Sequence, residues 1–516
     1  MSSVKNILLV YPEIPKNTYW SFKYALSFIG KKSAMPPLGL ITVAALFPKN
    51  CILKLVDMNV EPLVSADIRW ADAVFISAMI VQKKSFAAVV KACNRFKKPV
   101  IAGGPYPTTS HQEIAGVDHV LSGEIEEVFS KFFEDFQNGV AKKVYPIPSH
   151  PCLSNTPIPR FDLLKMDAYS CMSIQYSRGC PFNCEFCDIW TIYGNRSRVK
   201  PAENVIREID MLYQLGWRNP VFVVDDNFIG NKRRVKKELL PALKQWQEEH
   251  EFVYRFFTEA GINLADDDEL IDAMRDVGFN EVFIGIETPS KKALRETGKL
   301  QNLKSDMLQA VRKLQQKGME VMGGFVVGFD SDQEDIFDRQ IAFIQKAGIP
   351  KAMIGILEAL PATRLYSRLE KEGRILCDSD GNNTHHMETN FVTRMDRDTL
   401  KNGYKKVLET LYDNNLKNYF TRCNICLDHI KNSKLFNRKK YPGKIRILFK
   451  SLLYQTFTPY GRQYWKFLFR NIFKNPDKLA EVVRMAIQGH HFRMITQELL
   501  KAERVSSALE SGYNGL

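Results

Sequence analysis

A chain of 516 residues is long enough for two or three domains with full cores, and 45% hydrophobic with 25% charged residues is the composition of an ordinary globular protein. The net charge of +14 is uneven: from Lys417 onward there are 19 Lys and Arg against 6 Asp and Glu, while the first four fifths are close to neutral. Ten cysteines with three in one loop exclude a disulfide scaffold, no apolar run reaches the ~18 residues of a membrane span, and the run Ile7 to Tyr11 is too short for a signal peptide, so a reducing, cytoplasmic setting is expected.

Residues 1–140 alternate short apolar runs with amphipathic stretches. Ile7–Val10, Ile52–Val56, Ala73–Ser77, Val100–Ala102 and His119–Leu121 read as strands, and the stretches between them predict an α/β domain with a doubly wound, Rossmann-like parallel sheet. Ligands of such sheets sit outside the carboxyl ends of the strands. Those ends carry Tyr11-Pro12, Asp57-Met58-Asn59, Ser77-Ala78-Met79, Gly103-Gly104-Pro105 and Ser122-Gly123-Glu124, mostly small or polar residues that let a large flat ligand approach the backbone. Any one of them could be an ordinary turn; five in register point to a ligand.

A Pro-rich connector covers residues 141–172. Over 173–365 the alternation resumes, with strands at Ser173–Tyr176, Val221–Asp225, Val253–Phe257, Glu281–Ile286, Val321–Val327 and Met353–Leu357, and helices such as Ala202–Leu215, Arg234–Glu248 and Glu269–Val277. Six βα units predict a partial TIM-type (β/α)6 barrel, open on one side, with its functional groups at the carboxyl ends of the strands. The loop after the first strand, Tyr176 to Asp188, holds Cys180, Cys184 and Cys187 in the spacing C-x-x-x-C-x-x-C. Three thiolates turned to one point are a soft ligand set that suits an iron–sulfur cluster. A structural zinc normally takes a fourth Cys or His, and none follows at a plausible distance. A buried group of free thiols is the plain alternative, against which Arg178-Gly179-Cys180-Pro181 reads as an exposed loop.

This loop and its context resemble the radical S-adenosylmethionine (SAM) superfamily. The resemblance implies a [4Fe–4S] cluster on Cys180, Cys184 and Cys187, with SAM chelating the open iron and Phe186 as the aromatic residue before the last cysteine. It also implies SAM contacts at later strand ends: Asp225 and Asp226 at the amino end, Glu259 at the ribose, and Glu287 with Gly324 near the adenine. Each carboxylate could instead cap the helix that follows. The amino-terminal half resembles the cobalamin-binding domain found ahead of the cluster domain in one branch of that superfamily, with Met35-Pro36-Pro37-Leu38-Gly39-Leu40 and the Gly-Gly-Pro and Ser-Gly-Glu strand ends as its marks. Pro37, Asp57, Asn59, Ser77, Gly103, Gly104, Gly123 and Glu124 are the contacts this implies for cobalamin. Cobalamin proteins that give cobalt a histidine use Asp-x-His-x-x-Gly; this chain has Asp57-Met58-Asn59-Val60-Glu61-Pro62, so a cobalt without a protein imidazole is implied.

Residues 366–516 read as a mostly helical, basic C-terminal region after the loop Cys377 to Asn383. Ile445–Leu453 and Tyr464–Arg470 are basic and aromatic at helical spacing, which fits core packing, a helix on a membrane surface, or, less well without an RNA-binding module, nucleic acid. Cys423-x-x-Cys426 alone on a helix carries no assignment. The overall resemblance extends to the hopanoid C-2 methylases and the bacteriochlorophyllide side-chain methyltransferases. It implies a radical SAM, cobalamin-dependent C-methyltransferase acting on an unactivated carbon of a large apolar polycyclic metabolite. The substrate stays open between a bacteriochlorophyllide side chain, a hopanoid and another lipid. The implied partners are that apolar small molecule and a reductant such as flavodoxin or ferredoxin, with no nucleic acid; the C-terminal region is the candidate for peripheral contact with the inner membrane face. Alternatives are a radical SAM cyclase, desaturase or oxidoreductase without methyl transfer, and a non-enzymatic basic membrane- or nucleic-acid-binding protein with a structural metal.

Overall fold

A computed structural model of the chain describes residues 4–110, 112, 114–146, 150–384, 386–430 and 444–513. Its first sheet comprises β1 (Asn6–Tyr11), β2 (Ile52–Asp57), β3 (Ala73–Ser77), β4 (Val100–Gly103), β5 (His119–Leu121) and β6 (Val144–Tyr145), all parallel, in the order β2-β1-β3-β4-β5-β6. Along β1, Leu8 and Val10 enter a core with Phe86, Val89 and Val90, while Ile7 and Leu9 enter another with Phe129, Phe132 and Phe133. Both faces are therefore buried under helices, as a doubly wound parallel sheet requires. The sixth strand is a correction, since the sequence reading placed these residues in a connector. Only two residues pair, too few to register among prolines, yet Leu121 aligns with Tyr145, whose hydroxyl donates to Asp135 at 2.7 Å. Strand order reverses between β1 and β3, where such sheets open a ligand crevice.

The second sheet runs β7 (Met172–Ile174), β8 (Val221–Val223), β9 (Phe256–Ala260), β10 (Phe279–Glu287), β11 (Glu320–Val327) and β12 (Ala352–Ile356), each parallel to its neighbour in the sequence. It is the expected partial barrel, with β7 and β12 as its two margins. Its third strand lies three residues later than the sequence suggested, because Glu251 and Phe252 take positive φ values of 53° and 52° and hold the chain in a turn. Glu259 thus sits within β9 rather than after it. The helix expected at Arg234–Glu248 widens at Val235–Leu239 before Leu240–Glu249. Pro241 donates no N–H and its ring crowds the carbonyl four residues back, which a wider turn relieves.

The long terminal helix Leu479–Tyr513 crosses the amino-terminal end of the barrel. Its Arg484 meets Glu281 at 3.2 Å and Glu320 at 2.5 Å, and Lys351 bridges the same two carboxylates from the entry to β12. Four charges, two of each sign, close that end, with Glu320 and Lys351 buried and Glu281 and Arg484 partly so. The first sheet lies against the barrel with its carboxyl edge: Tyr169, just before β7, donates to Asp57 at 2.8 Å, and Arg178, just after β7, donates to Glu124 at 2.8 Å. Beyond β3, Lys83 pairs with Asp378 at 3.0 Å, and Ile80 packs so close to Gly381 that a Cβ there would come within 2.4 Å. The carboxyl edge therefore touches both margins of the barrel and covers the gap between them. Among the described residues no helix is long and apolar enough to cross a membrane.

Candidate active site

The cysteine loop is rooted by two carboxylates that follow β8. Asp225 accepts from the Tyr176 N–H at 2.8 Å and the Ser177 hydroxyl at 2.7 Å, and Asp226 accepts from the Gly179 N–H at 2.9 Å. Gly179 has φ +87°, and a Cβ on it would lie 2.5 Å from the Arg196 carbonyl and 2.8 Å from that of Tyr193, so no larger residue fits. Arg178 is buried between Glu124 and Glu126, 2.8 and 2.7 Å away. Between Cys184 and Cys187, Glu185 pairs with Arg368 at 2.7 Å and its N–H donates to Thr297 O at 2.8 Å. The loop is thus held from the end of β8, from the first sheet's domain, and from the segments that follow β10 and β12.

Burial pushes the thiols of Cys180, Cys184 and Cys187 above their ordinary range. Free thiolates are disfavoured there, whereas a metal centre would supply the compensating charge. Cys180 and Cys187 each lie within electrostatic reach of Cys184. Three thiols sharing one pocket are a soft ligand set that suits an iron–sulfur cluster. Lys299, donating to Glu287 at 2.7 Å, sits beside Cys184 and Cys187 and draws their pKa values down in part.

The strand ends bring Asp225, Asp226, Glu259 and Glu287 to this same pocket. Burial, with Asp226 and Asp225 next in effect, holds the Glu259 carboxyl up at about 7. Burial raises Asp226 to about 7 and Asp225 to about 6. A buried group of carboxylates that resists ionisation is a place where an ammonium or sulfonium cation is stabilising. A Cβ on Gly324 would lie 2.8 Å from the Phe283 ring, so the glycine makes room for Phe283. On the lumen face, Phe222 stacks on Phe257 at 4.5 Å with parallel planes, and Phe283 meets Trp20 at 5.5 Å. The lumen wall is thus aromatic below and anionic above.

Along the first sheet's carboxyl edge the polar side chains are turned to protein partners. Asn59 donates to Asp57 at 2.7 Å and to Pro12 O at 3.3 Å, and accepts from the Ile14 N–H at 2.8 Å. Glu124 is the hub of an ion group with Arg178, Arg198 and His150. Pro37 opens the helix Leu38–Ala44, its carbonyl accepting from the Leu40 N–H at 3.1 Å. Gly104 has φ +91°, and its Cβ position is taken by the Ser77 hydroxyl at 2.7 Å; Gly123 donates its N–H to Thr108 at 2.7 Å. On Gly103 a Cβ would meet nothing nearer than Leu121 O at 3.5 Å. Ser77, Gly103, Gly104 and Gly123 leave a low, backbone-lined edge, a surface on which a broad flat group such as cobalamin fits.

Residues 174–344 match the radical SAM superfamily, and residues 363–504 match a domain of unknown function (DUF4070). The chain is 43% identical to an uncharacterised methyltransferase of Synechocystis sp., over 79% of this chain and 76% of the relative. It is 30% identical to the hopanoid C-2 methylase of Rhodopseudomonas palustris, over 96% of this chain and 94% of that one. This chain belongs to the radical SAM methyltransferases. Its fold is similar to that of OxsB, a cobalamin-dependent SAM radical enzyme solved with aqua-cobalamin and SAM bound, with a TM-score of 0.61 at 14% identity over 99% of this chain and 81% of that one. As a radical SAM enzyme the chain uses a [4Fe–4S] cluster and SAM.

For this radical SAM methyltransferase the sequence reading missed several pocket residues. Asn227 lies 3.9 Å from the Cys180 sulfur, and Asn302 donates to the Gly285 and Ile286 carbonyls at 3.0 Å each. The side-chain carbonyl oxygens of Asn263, Gln301 and Asn302 are buried with no hydrogen-bond partner among the described residues. Buried acceptors of that kind call for a donor, which a bound ligand supplies. Lys299, Gln301 and Asn302 stand on a turn and a short helix after β10, where spacing gives no signal.

Proposed function

We propose that this protein transfers a methyl group to an unactivated carbon of a large apolar polycyclic molecule, with cobalamin as the methyl carrier. One observation supports this above others: the carboxyl edge of the first sheet covers the open side of the barrel, so a cofactor lying on that edge faces the cysteine loop across the lumen. In this reading Cys180, Cys184 and Cys187 hold the cluster. When bound, the cluster with SAM supplies a carbon-centred radical able to remove hydrogen from an unactivated carbon, and methylcobalamin supplies the methyl group.

The chain's own residues do the positioning. Asp225 and Asp226 set the root of the loop, and Asp226 with Glu259 offers anionic surface to the cationic end of SAM. Lys299 keeps Glu287 paired beside the cysteines. Phe222, Phe257, Phe283 and Trp20 present aromatic faces that accept fused rings and exclude water, which decides which hydrogen is lost. A hopanoid, a bacteriochlorophyllide or another polycyclic lipid satisfies that wall. An electron carrier such as flavodoxin or ferredoxin is the proposed reductant, and the C-terminal region the proposed point of peripheral contact with a membrane.

The test is anaerobic incubation of reconstituted protein with SAM, reductant, cobalamin and either hopanoid or pigment extract. Products heavier by one methylene are expected. Cleavage of SAM with no methylated product and no cobalt retained by the protein would overturn the proposal.

A further inference from the structure

Helices Lys444–Thr456 and Gly461–Lys474 form a hairpin inside the region that matches a domain of unknown function. One side of it is core. Phe467 stacks on Phe420 at 4.7 Å, Gln455 donates to Ser451 at 2.7 Å, and Tyr464, Leu468 and Asn471 are buried. The other side is largely open among the described residues, with only its Tyr454 and Phe469 meeting neighbouring rings. Ile445, Phe449 and Leu453 recur every four residues down the first helix and Phe457 follows its end at the same interval, joined by Tyr454 and by Phe469, Ile472 and Phe473 of the second. Ile445, Phe457 and Phe473 are 81%, 86% and 81% exposed. Eight large apolar side chains in one open patch mark an interaction surface.

The charges around this ridge select the partner. Between Ile445 and Lys474 there is no Asp or Glu, against six cations: Arg446, Lys450, Arg462, Lys466, Arg470 and Lys474. Arg470 and Lys474 share Asp428 at 2.7 and 2.9 Å. The remaining four fringe a ridge of Phe, Ile and Leu, and Trp465 stacks on Phe469 at 5.2 Å. A second copy of the chain would bring like charge against like charge across a twofold contact. A nucleic acid would satisfy the cations and leave the ridge in water. We infer that the hairpin 444–474 docks on the surface of an anionic lipid bilayer, its apolar ridge entering the acyl boundary and its Lys and Arg reaching the phosphates.

The same hairpin is coupled to the barrel. Phe28, on the helix Lys23–Ile29, packs edge-on against Tyr454 at 5.5 Å, and the segment leading into that helix carries Trp20 onto Phe283 of the lumen wall at 5.5 Å. Docking would therefore set the lumen beside the lipid from which an apolar substrate comes, a consequence that rests on the methyl-transfer reading.

Flotation of the full chain with vesicles of phosphatidylcholine alone, or mixed with phosphatidylglycerol, tests the inference without any turnover. The chain is expected to float with the mixed vesicles, to be released as sodium chloride is raised, and to stay behind with the neutral ones. Phe449→Ser with Leu453→Ser and Phe457→Ser, and separately Lys450→Glu with Arg462→Glu and Lys466→Glu, should each reduce the bound fraction about ten-fold or more. Both variants should keep iron loading, SAM cleavage and the far-ultraviolet circular dichroism of the parent. Equal flotation on both vesicle types, none on either, or parent-like flotation of both variants overturns the inference, as does a shift of duplex DNA by a chain that binds no vesicles. Turnover of detergent-dispersed substrate is scored separately, so a failed docking surface and a failed methylase reading give different results.

Discussion

Cys180, Cys184 and Cys187 share a pocket with Lys299, whereas Cys423 and Cys426 are fully buried in the helical core with thiols raised by burial first and then by Glu320. The difference is one of surroundings, since both sets are buried enough to resist ionisation. Replacing any one of the first three by Ala should abolish iron loading and release of 5′-deoxyadenosine, measured by metal analysis and chromatography. Cys423→Ala and Cys426→Ala should keep full iron and lose about 1 kcal/mol of stability, a usual cost of a small core truncation. A full complement of iron in the Cys184→Ala protein would end the assignment. Asn59 carries a second prediction at this scale. Its amide is committed to Asp57, Pro12 and Ile14, and His119 stands at the start of β5, at the opposite end of the sheet from the carboxyl edge. Cobalt(II) cobalamin bound to the protein should therefore show an electron paramagnetic resonance spectrum without nitrogen splitting from a protein imidazole; a split spectrum contradicts this placement.

Among the elements, the cysteine loop and the long terminal helix make separate demands. Gly179→Ala leaves every thiol in place yet forces a Cβ into the carbonyls of Arg196 and Tyr193 at a φ that side chains rarely adopt. Most of the iron should be lost while global unfolding is little changed, as seen by comparing iron content with a urea melt. On the terminal helix, His491 donates its Nε2–H to the Tyr19 carbonyl at 3.0 Å, and His490 meets the Tyr460 hydroxyl at 2.8 Å. Burial lowers His490 to about 4 and His491 to about 3. Free imidazoles titrate near 6.5, so between about pH 6.5 and these values the unfolded chain binds more protons than the folded one. The stability tied to these rings is complete above about pH 6.5 and is lost as the pH falls towards the folded values. Denaturation midpoints should drop between about pH 7 and 5, and His491→Gln should make that slope shallower. An unchanged slope would mean that the helix stays docked with the ring protonated.

On the scale of the whole molecule, the contact between the two sheets is ionic at one margin of the barrel. Glu124 accepts from Arg178 and Arg198, and Arg178 is the residue next to Gly179 in the cysteine loop. Glu124→Ala removes one of the two carboxylate partners of a buried guanidinium, and breaking such pairs costs about 3–5 kcal/mol. The variant should unfold at lower denaturant and lose iron together with any bound cobalt, while Glu124→Gln, which retains an acceptor, should fall between. Loss of cobalt alone, at parental stability, would instead make Glu124 a direct ligand contact. That outcome separates the two roles because an ion-pair hub and a ligand contact differ in what they do to the empty protein.

The doubly wound sheet, the six-unit barrel, the cysteine loop and the carboxylates at the strand ends were all legible in the sequence. Alternation of apolar runs with amphipathic stretches, and the close spacing of Cys180, Cys184 and Cys187, are local properties that neighbours in the chain impose on one another. β6 escaped because two residues cannot show a period, and β9 was set too early because positive φ values at Glu251 and Phe252 leave no mark on hydrophobic pattern. Glu124 illustrates what folding alone decides. Read along the chain it is a polar residue at a strand end, free for a ligand; its engagement with Arg178, 54 residues away, exists only once the two sheets meet. The basic aromatic tail divides in the same way. Its sequence allows either core or surface, because a stripe at helical spacing is identical in both. Tyr464 and Phe467 are buried while Phe457 and Phe473 are open, and that division follows from which face of each helix meets the long terminal helix and Lys417–His429, a question of distance in space that no local pattern encodes.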